Sequence, residues 1–530
     1  MTPRELRRDA MDQHRQRVAP RLIRRCHLLP IGFLSLLGML IALVPLYPND
    51  LWWHLRIGEL IAHSGNPLAL ERFSFLPQEQ DFPYHGWLGQ LLLYLAWLPA
   101  GSASLMLVRN LCLLLAYGLA LLLAARRSGS WAVAGALTLL AGLSAFFYWH
   151  IRPQIFAYPL FVVILALLLG VADGRMERRW LIGVPLLTAL WTNLHGSFVI
   201  APLLAGVAAV GALLEAKRAR SWRRSASALT LTALATGLAT LVTPYGWRVY
   251  DVVGAALQDA PSLIFGPEWH PPSPASNPLL FGTIFATLGC WAVQRRRPTL
   301  VEGGFYLVLA WQACAGNRYI IWYSLALPLL AAPAVAALLP HRAAPPLEWP
   351  ALNLVLAALL SLPTLGMQPG MPLRAWLPET YQAHLTADET GRLLLARATP
   401  VAAARYLRSH PLGAAARLFS ENADASYLIW AWREGRVFLD TRISAYPLPV
   451  WLDYYQIAAA CEYNRLLDRY GITHVLANRV KQPALAAALA SDPRWQPLWR
   501  DATYTLYQRS ARPPAEPPCR MDALLELLRP

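Results

Sequence analysis

Pro48-Asn49-Asp50-Leu51-Trp52-Trp53-His54 sets a carboxylate, a histidine and two tryptophans where the first long apolar run stops. The segment opens a polar stretch, 48–85, in a chain that otherwise keeps its connections short. Other polar and ionisable residues sit at comparable positions, at or near the ends of later apolar runs. They are Arg109, Arg152, Asn193 with His195, Arg248, Glu268 with His270, and Arg318. Arginine presents a permanently charged planar fork that suits phosphate oxygens. A neighbouring carboxylate can take a proton from an attacking hydroxyl or amine. Together these residue types fit group transfer from a phosphate-linked lipid, with arginines on the departing phosphate and Asp50 activating the acceptor.

The elements that must position these residues are membrane helices. Of the 530 residues 56% are hydrophobic and only 15% charged, with 21 Trp, which excludes an ordinary soluble enzyme. The net charge of +16 is distributed as short basic clusters between apolar runs, so a nucleic-acid partner is not expected. Eleven spans are predicted, at 29–47, 103–125, 131–149, 153–172, 180–194, 197–215, 226–243, 277–294, 300–315, 319–339 and 350–367. Basic residues alternate from side to side with them. The N-terminal arginines, Arg126–Arg127, Arg175 to Arg179, Lys217 to Arg224, Arg295 to Arg297 and Arg342 all fall on one side, predicted to be cytoplasmic. The opposite, outer side then holds Asp50 and every other site candidate. The first run follows a long Arg-rich segment with no small-residue cleavage site after it, and reads as a retained span.

The expected architecture is therefore an α-helical polytopic membrane protein of the bacterial inner membrane. A cytoplasmic basic segment, 1–28, precedes a transmembrane domain, 29–367, with long outer loops at 48–102 and 244–276. Beyond it, polar composition returns over 368–511, and a Pro-rich tail covers 512–530. Strand-like 417–420, 437–440 and 473–477, a hairpin near 496–509, and helical stretches near 400–409, 448–469 and 483–490 predict a small outer α/β domain. Thr399 before Pro400 is a candidate helix cap, and Cys461 and Cys519 are a candidate disulfide.

The segment Asn49 to Glu59, continuing through Gly65-Asn66-Pro67, Glu71-Arg72-Phe73-Ser74-Phe75 and Trp87-Leu88-Gly89-Gln90, resembles the first external loop of bacterial membrane glycosyltransferases of the GT-C class. The likeness extends to Trp191–Ser197, Thr243–Trp247, Glu268-Trp269, Ser426–Trp430 and Val437–Arg442. It implies a transferase that takes a sugar from a polyprenyl-phosphate carrier to a lipid, glycan or protein acceptor, with the acidic residue early in that loop, here Asp50, as base. The chain departs from the pattern at Glu71, where a second aspartate is expected, and at His85 and Gly86, where an acidic residue is expected before Trp87.

The remaining site expectations are Arg109, Arg152, Arg248 and Arg318 on phosphate, with His54, Glu71, His85, His195 and Glu268 around the substrate. Arg109 has an alternative as a structural partner of Glu71 or Asp50, and Asp440 and Arg442 read as a structural pair. His54, His85 and His270 with the carboxylates show no diagnostic ligand spacing, so no metal is expected. Two other classes compete with the enzyme: a transporter or flippase for a lipid-linked anion, and a non-catalytic envelope assembly protein. The absence of an internal repeat and of paired Gly/Pro-broken spans argues against the first.

Overall fold

The structure, a computed structural model, describes residues 23–68, 70–80, 83–294, 297–339 and 349–510. Most of the N-terminal basic segment, Arg295 and Arg296, Arg342, Cys519 and the Pro-rich tail lie outside the described residues.

All eleven apolar segments are helical, because uninterrupted apolar side chains can leave water only if each backbone polar group is bonded within its own segment. Five of the helical segments are both long and apolar enough to cross a bilayer: Arg25–Leu43, Ser102–Ser128, Pro153–Ala172, Gly196–Arg218 and Asn317–Leu338. Shorter apolar helices include Trp131–Ser144, Pro278–Val293, Leu300–Ala315 and Pro350–Gly366. Local signals set several boundaries. Gly129 takes a left-handed φ of 72° and ends Ser102–Ser128. Thr299 and Glu302 form a reciprocal capping box at the start of Leu300–Ala315. Glu302 also takes Arg127 at 2.5 Å, and Arg127 reaches Asp173 at 3.0 Å. This triad ties three helices together at the bundle end remote from Asp50.

The outer loop expected over 48–102 contains two helices, Leu51–Ser64 and Trp87–Trp97. Leu51, Trp52, Leu55 and Ile57 are each at most 1% exposed, so the first of these is a core element. It meets the second where Gly58 lies against the Gln90 backbone, too close for any Cβ.

The C-terminal region is a mixed α/β domain. Its four-stranded sheet runs Leu418–Ser420, His474–Asn478, Tyr504–Arg509, Trp495–Arg500, with only the first pair parallel. Residues 437–440 are not a regular strand; Val437 makes single bridges to Ser74 and Leu418 instead. Ser426–Trp430 lies in a helix, Asn422–Ala431. The long helix expected over 448–469 is two, Leu448–Ala458 and Tyr463–Arg469, broken where Ala460 and Glu462 adopt positive φ. Thr399 does not cap the helix Val401–Ser409, whose first residues carry no side-chain cap; the Thr399 hydroxyl is buried without a partner.

This domain is joined to the bundle by backbone and by charge. Leu46 bridges Leu395, and the Ser74 hydroxyl donates to the Phe438 carbonyl at 2.5 Å. Arg442 bonds Asp440 and Glu79, both at 2.7 Å, with Tyr84 and Tyr446 closing the cage. All three charged groups are essentially solvent-free. Asp440 and Arg442 thus form a structural pair whose third member comes from the first loop.

Candidate functional site

Asp50 occupies the turn before helix Leu51–Ser64, yet its side chain does not cap that helix. One carboxylate oxygen lies 2.9 Å from a guanidinium nitrogen of Arg152 and the other accepts from the Trp53 indole at 3.4 Å. The same indole nitrogen lies 3.2 Å from the Thr441 hydroxyl, so one ring connects the acidic residue to the C-terminal domain.

Arg152 projects from the turn before Pro153–Ala172 and is the hub of the site. Its second terminal nitrogen pairs with Glu268, from the loop before Pro278–Val293. Arg318 approaches the other Glu268 oxygen at 3.7 Å and stacks over Trp269, with its guanidinium carbon 4.0 Å from the ring centre. Segments distant in sequence therefore build one alternating row, Asp50, Arg152, Glu268, Arg318. Burial raises the Glu268 carboxyl, but Arg152 and Arg318 outweigh it and hold that group at about 2. Burial opposes the Arg152 charge, and Asp50 and Glu268 more than restore it, leaving the guanidinium above its usual range.

Three histidines border the row. His54 lies against Trp53, ring centres 3.7 Å apart, and its Nδ1 is 3.1 Å from the Gln90 amide nitrogen. His195 accepts at Nδ1 from the Ser197 backbone N–H at 3.1 Å, which leaves Nε2 to carry the proton. His85 is seated on Gly196, where a Cβ would fall 2.5 Å from its Nε2. Burial lowers all three: His85 to about 4, and His54 and His195 well below 6.5, with Arg152 adding to both of the latter. They are neutral hydrogen-bonding groups near neutral pH, so the row's charge is set by its two carboxylates and two arginines.

Other expected members lie elsewhere. Glu71 pairs with Arg56 at 2.9 Å, in a cluster with Glu59 and Arg433. Arg109 is fully buried and partners neither Glu71 nor Asp50; it bonds the Ile41 carbonyl at 2.9 Å and Asn110 at 3.1 Å. Arg248 is exposed at the end of the short helical turn Gly246–Arg248, just before helix Val249–Gln258. His270 bonds the Leu263 carbonyl at 3.2 Å, and among the described residues no cluster of three metal-binding side chains occurs. Gln90 and Thr441 were missed as neighbours of the site. Gln90 stands inside the Trp87-Leu88-Gly89-Gln90 motif and Thr441 inside the Val437–Arg442 stretch, but neither stretch says that the side chain turns toward Asp50 and its neighbours.

No protein-family model and no curated protein matches the sequence. Solved structures do. The Archaeoglobus fulgidus oligosaccharyltransferase in its apo form is 12% identical, with a TM-score of 0.47 over 85% of this chain and 69% of that one. ArnT from Cupriavidus metallidurans bound to undecaprenyl phosphate is 16% identical, with a TM-score of 0.43 over 90% of this chain and 97% of that one. The arabinofuranosyltransferase AftD from Mycobacteria, as the R1389S mutant, is 14% identical, with a TM-score of 0.49 over 91% of this chain and 41% of that one. The likeness to these membrane glycosyltransferases is one of fold.

Proposed function

We propose that this chain is a glycosyltransferase that moves a sugar from a polyprenyl-phosphate carrier to an acceptor at the outer face of the inner membrane. The observation that carries this reading is the Asp50–Arg152 ion pair, extended through Glu268 to a second arginine. A carboxylate beside one guanidinium, with a second guanidinium held near it through Glu268, suits transfer from a phosphate-linked donor. Asp50 accepts the proton of the acceptor nucleophile while that atom bonds the anomeric carbon. The bond from the anomeric carbon to the phosphate oxygen breaks, and its electron pair leaves with the polyprenyl phosphate. Arg152 and Arg318 stabilise the negative charge that develops on the departing phosphate.

In this scheme Trp53 orients Asp50 through its indole N–H, and Nε2–H of His195 is a hydrogen-bond donor for the donor sugar or phosphate. Glu268 keeps the two arginines apart and aligned. The Thr441 contact gives the C-terminal domain a part in holding Trp53. Comparing the surface glycolipids and glycans of cells with and without the protein by mass spectrometry tests the reading. The expected result is one glycan species missing a single sugar, with accumulation of the lipid-linked donor. Unchanged glycans with a lipid-linked anion displaced between leaflets would favour a transporter instead.

A further inference from the structure

The connection over 240–277 carries Glu268 and Trp269 to the row, yet most of its length comes before them. It contains two helices, Val249–Gln258 and Ala260–Phe265. Trp247, Tyr250, Leu257, Leu263 and Ile264 are exposed along it, Trp247 by 66% and Leu257 by 52%. Large apolar side chains gathered in the open mark a surface that something covers.

Two contacts fix how the first of these helices lies. Val249 is fully buried, and the Tyr250 hydroxyl meets Thr240 Oγ1 at 2.6 Å, just past the apolar helix Arg223–Ala239. The Tyr250 ring lies 6.0 Å from that of Phe198, at the start of Gly196–Arg218. The Tyr250 edge therefore faces the ends of the membrane helices. Leu257, seven residues on, stands on the same edge. Asp251 and Gln258, both exposed, each stand one residue, about 100°, further round the helix.

The medium below that edge is lipid. Arg223–Ala239 leaves Leu231, Leu234 and Leu238 exposed along its length, and exposed Leu241 and Val242 continue them toward Trp247. At the far end of the connection, Pro278–Val293 returns to the bundle with Leu279 and Phe285 exposed. The connection is thus tied at both ends to helices with uncovered apolar faces. An amphipathic helix at that boundary, with Trp and Tyr beside it, keeps its apolar edge among acyl chains and its polar edge in water. Arg248 against Asp251 and Asp259 gives no cationic excess, so apolar burial, and not an anionic headgroup, seats it.

Beyond these helices the segment is gripped by protein. Phe265 packs on Trp451 and Tyr455 of the C-terminal domain, ring centres 5.9 and 4.7 Å apart. Asn317, next to Arg318, donates its side-chain amide to the Pro267 carbonyl at 3.2 Å and its backbone N–H to the His270 carbonyl at 2.9 Å. Glu268 and Trp269 lie between the two residues that Asn317 holds.

We propose that residues 247–264 form a strap seated in the bilayer interface, with the Tyr250–Leu257 edge among acyl chains, and that this seat sets the depth at which Glu268 and Trp269 enter the row. The proposal concerns where the strap sits and holds whatever group the site transfers.

The test uses the full-length protein in phosphatidylcholine nanodiscs, with the photo-cross-linking residue p-benzoylphenylalanine placed singly at Leu257, Gln258 or Leu231. Mass spectrometry reads the lipid adducts. Leu257 should give adducts within about twofold of the bundle position Leu231 and at least about 10-fold above Gln258. A yield at Leu257 no higher than at Gln258 would overturn the strap, as would capture of a protein there, in place of lipid, in native membranes. Hydrogen exchange reads the coupling: in Leu257→Asp, amides over 259–270 should exchange at least about 10-fold faster than in wild type. Unchanged exchange would overturn the claim that the seat holds Glu268. Should Leu257→Asp fail to insert, Trp247→Ser, at the other end of the strap, carries the same reading.

Discussion

The carboxylate of Asp50 and the guanidinium of Arg152 meet at 2.9 Å although a hundred residues of chain separate them. Arg152 spends its other terminal nitrogen on Glu268. One side chain therefore fixes the distance between the candidate base and the loop that carries Glu268 and Trp269. Lysine can bridge two carboxylates, as Lys481 does with Glu421 and Asp424, but its single nitrogen cannot hold Asp50 and Glu268 at the spacing set by the two terminal nitrogens of the guanidinium fork. Arg152→Lys is expected to lower sugar transfer about 100-fold, a loss of about 2.7 kcal/mol in transition-state stabilisation. Initial rates in native membranes, normalised to protein level, check this; a rate within about twofold of wild type would show that the fork is not needed.

Arg442 holds Glu79 of the first loop and Asp440 of the C-terminal domain in a solvent-free cage. Removing one member leaves unpaired buried charge, which typically costs about 3–5 kcal/mol. Arg442→Ala should lower Tm and expose the 70–84 segment to protease. Glu79→Gln, which leaves Arg442 its Asp440 partner, should be milder. Protease mapping of the two variants in detergent distinguishes this from a cage without structural effect, in which both would cleave like wild type.

The histidines of the site and Glu268 share one sign in the acid response. His54 and His195 are held well below 6.5, so as pH falls through about 6.5 the unfolded chain takes up protons that the folded site refuses. Stability falls with them. Glu268 is depressed to about 2 from 4.5, so its contribution is present above 4.5 and is lost as pH falls from there toward 2. Both effects run in one direction. Burial and Glu421 raise the Asp424 carboxyl to about 7, which runs the other way between pH 7.5 and 5, so the comparison is between variants: on lowering the pH over that range, Tm of His54→Gln should shift upward relative to that of wild type. A slope unchanged in His54→Gln would remove His54 from the account.

Hydropathy made the helices of the bundle legible, since a long apolar run has few alternatives to a helix. The two helices inside the first loop were not. Leu51–Ser64 carries His54, Arg56, Glu59 and His63 on a short amphipathic stretch, and its packing against Trp87–Trp97 and Asn422–Ala431, with Trp52 on Tyr427 at 4.7 Å, makes its apolar face a core face. Asp50, Arg152, Glu268 and Arg318 were recognisable singly, because a charge at the end of an apolar run is costly and conspicuous. Their pairing was not, because it depends on how distant turns come together. Glu71 misled for the same reason: Arg56, six residues after Asp50, claims it. Arg109 misled differently. Its depth was evident, but its role at the Ile41 carbonyl depends on which helix end it faces.

The central claim is that the Asp50 carboxylate takes the acceptor's proton. Asp50→Asn keeps the shape and the Trp53 contact while removing the basic oxygen. Sugar transfer by that variant, measured in membranes where the protein inserts at wild-type level, should fall to background while Tm changes by only a few degrees. Transfer at the wild-type rate would contradict the claim.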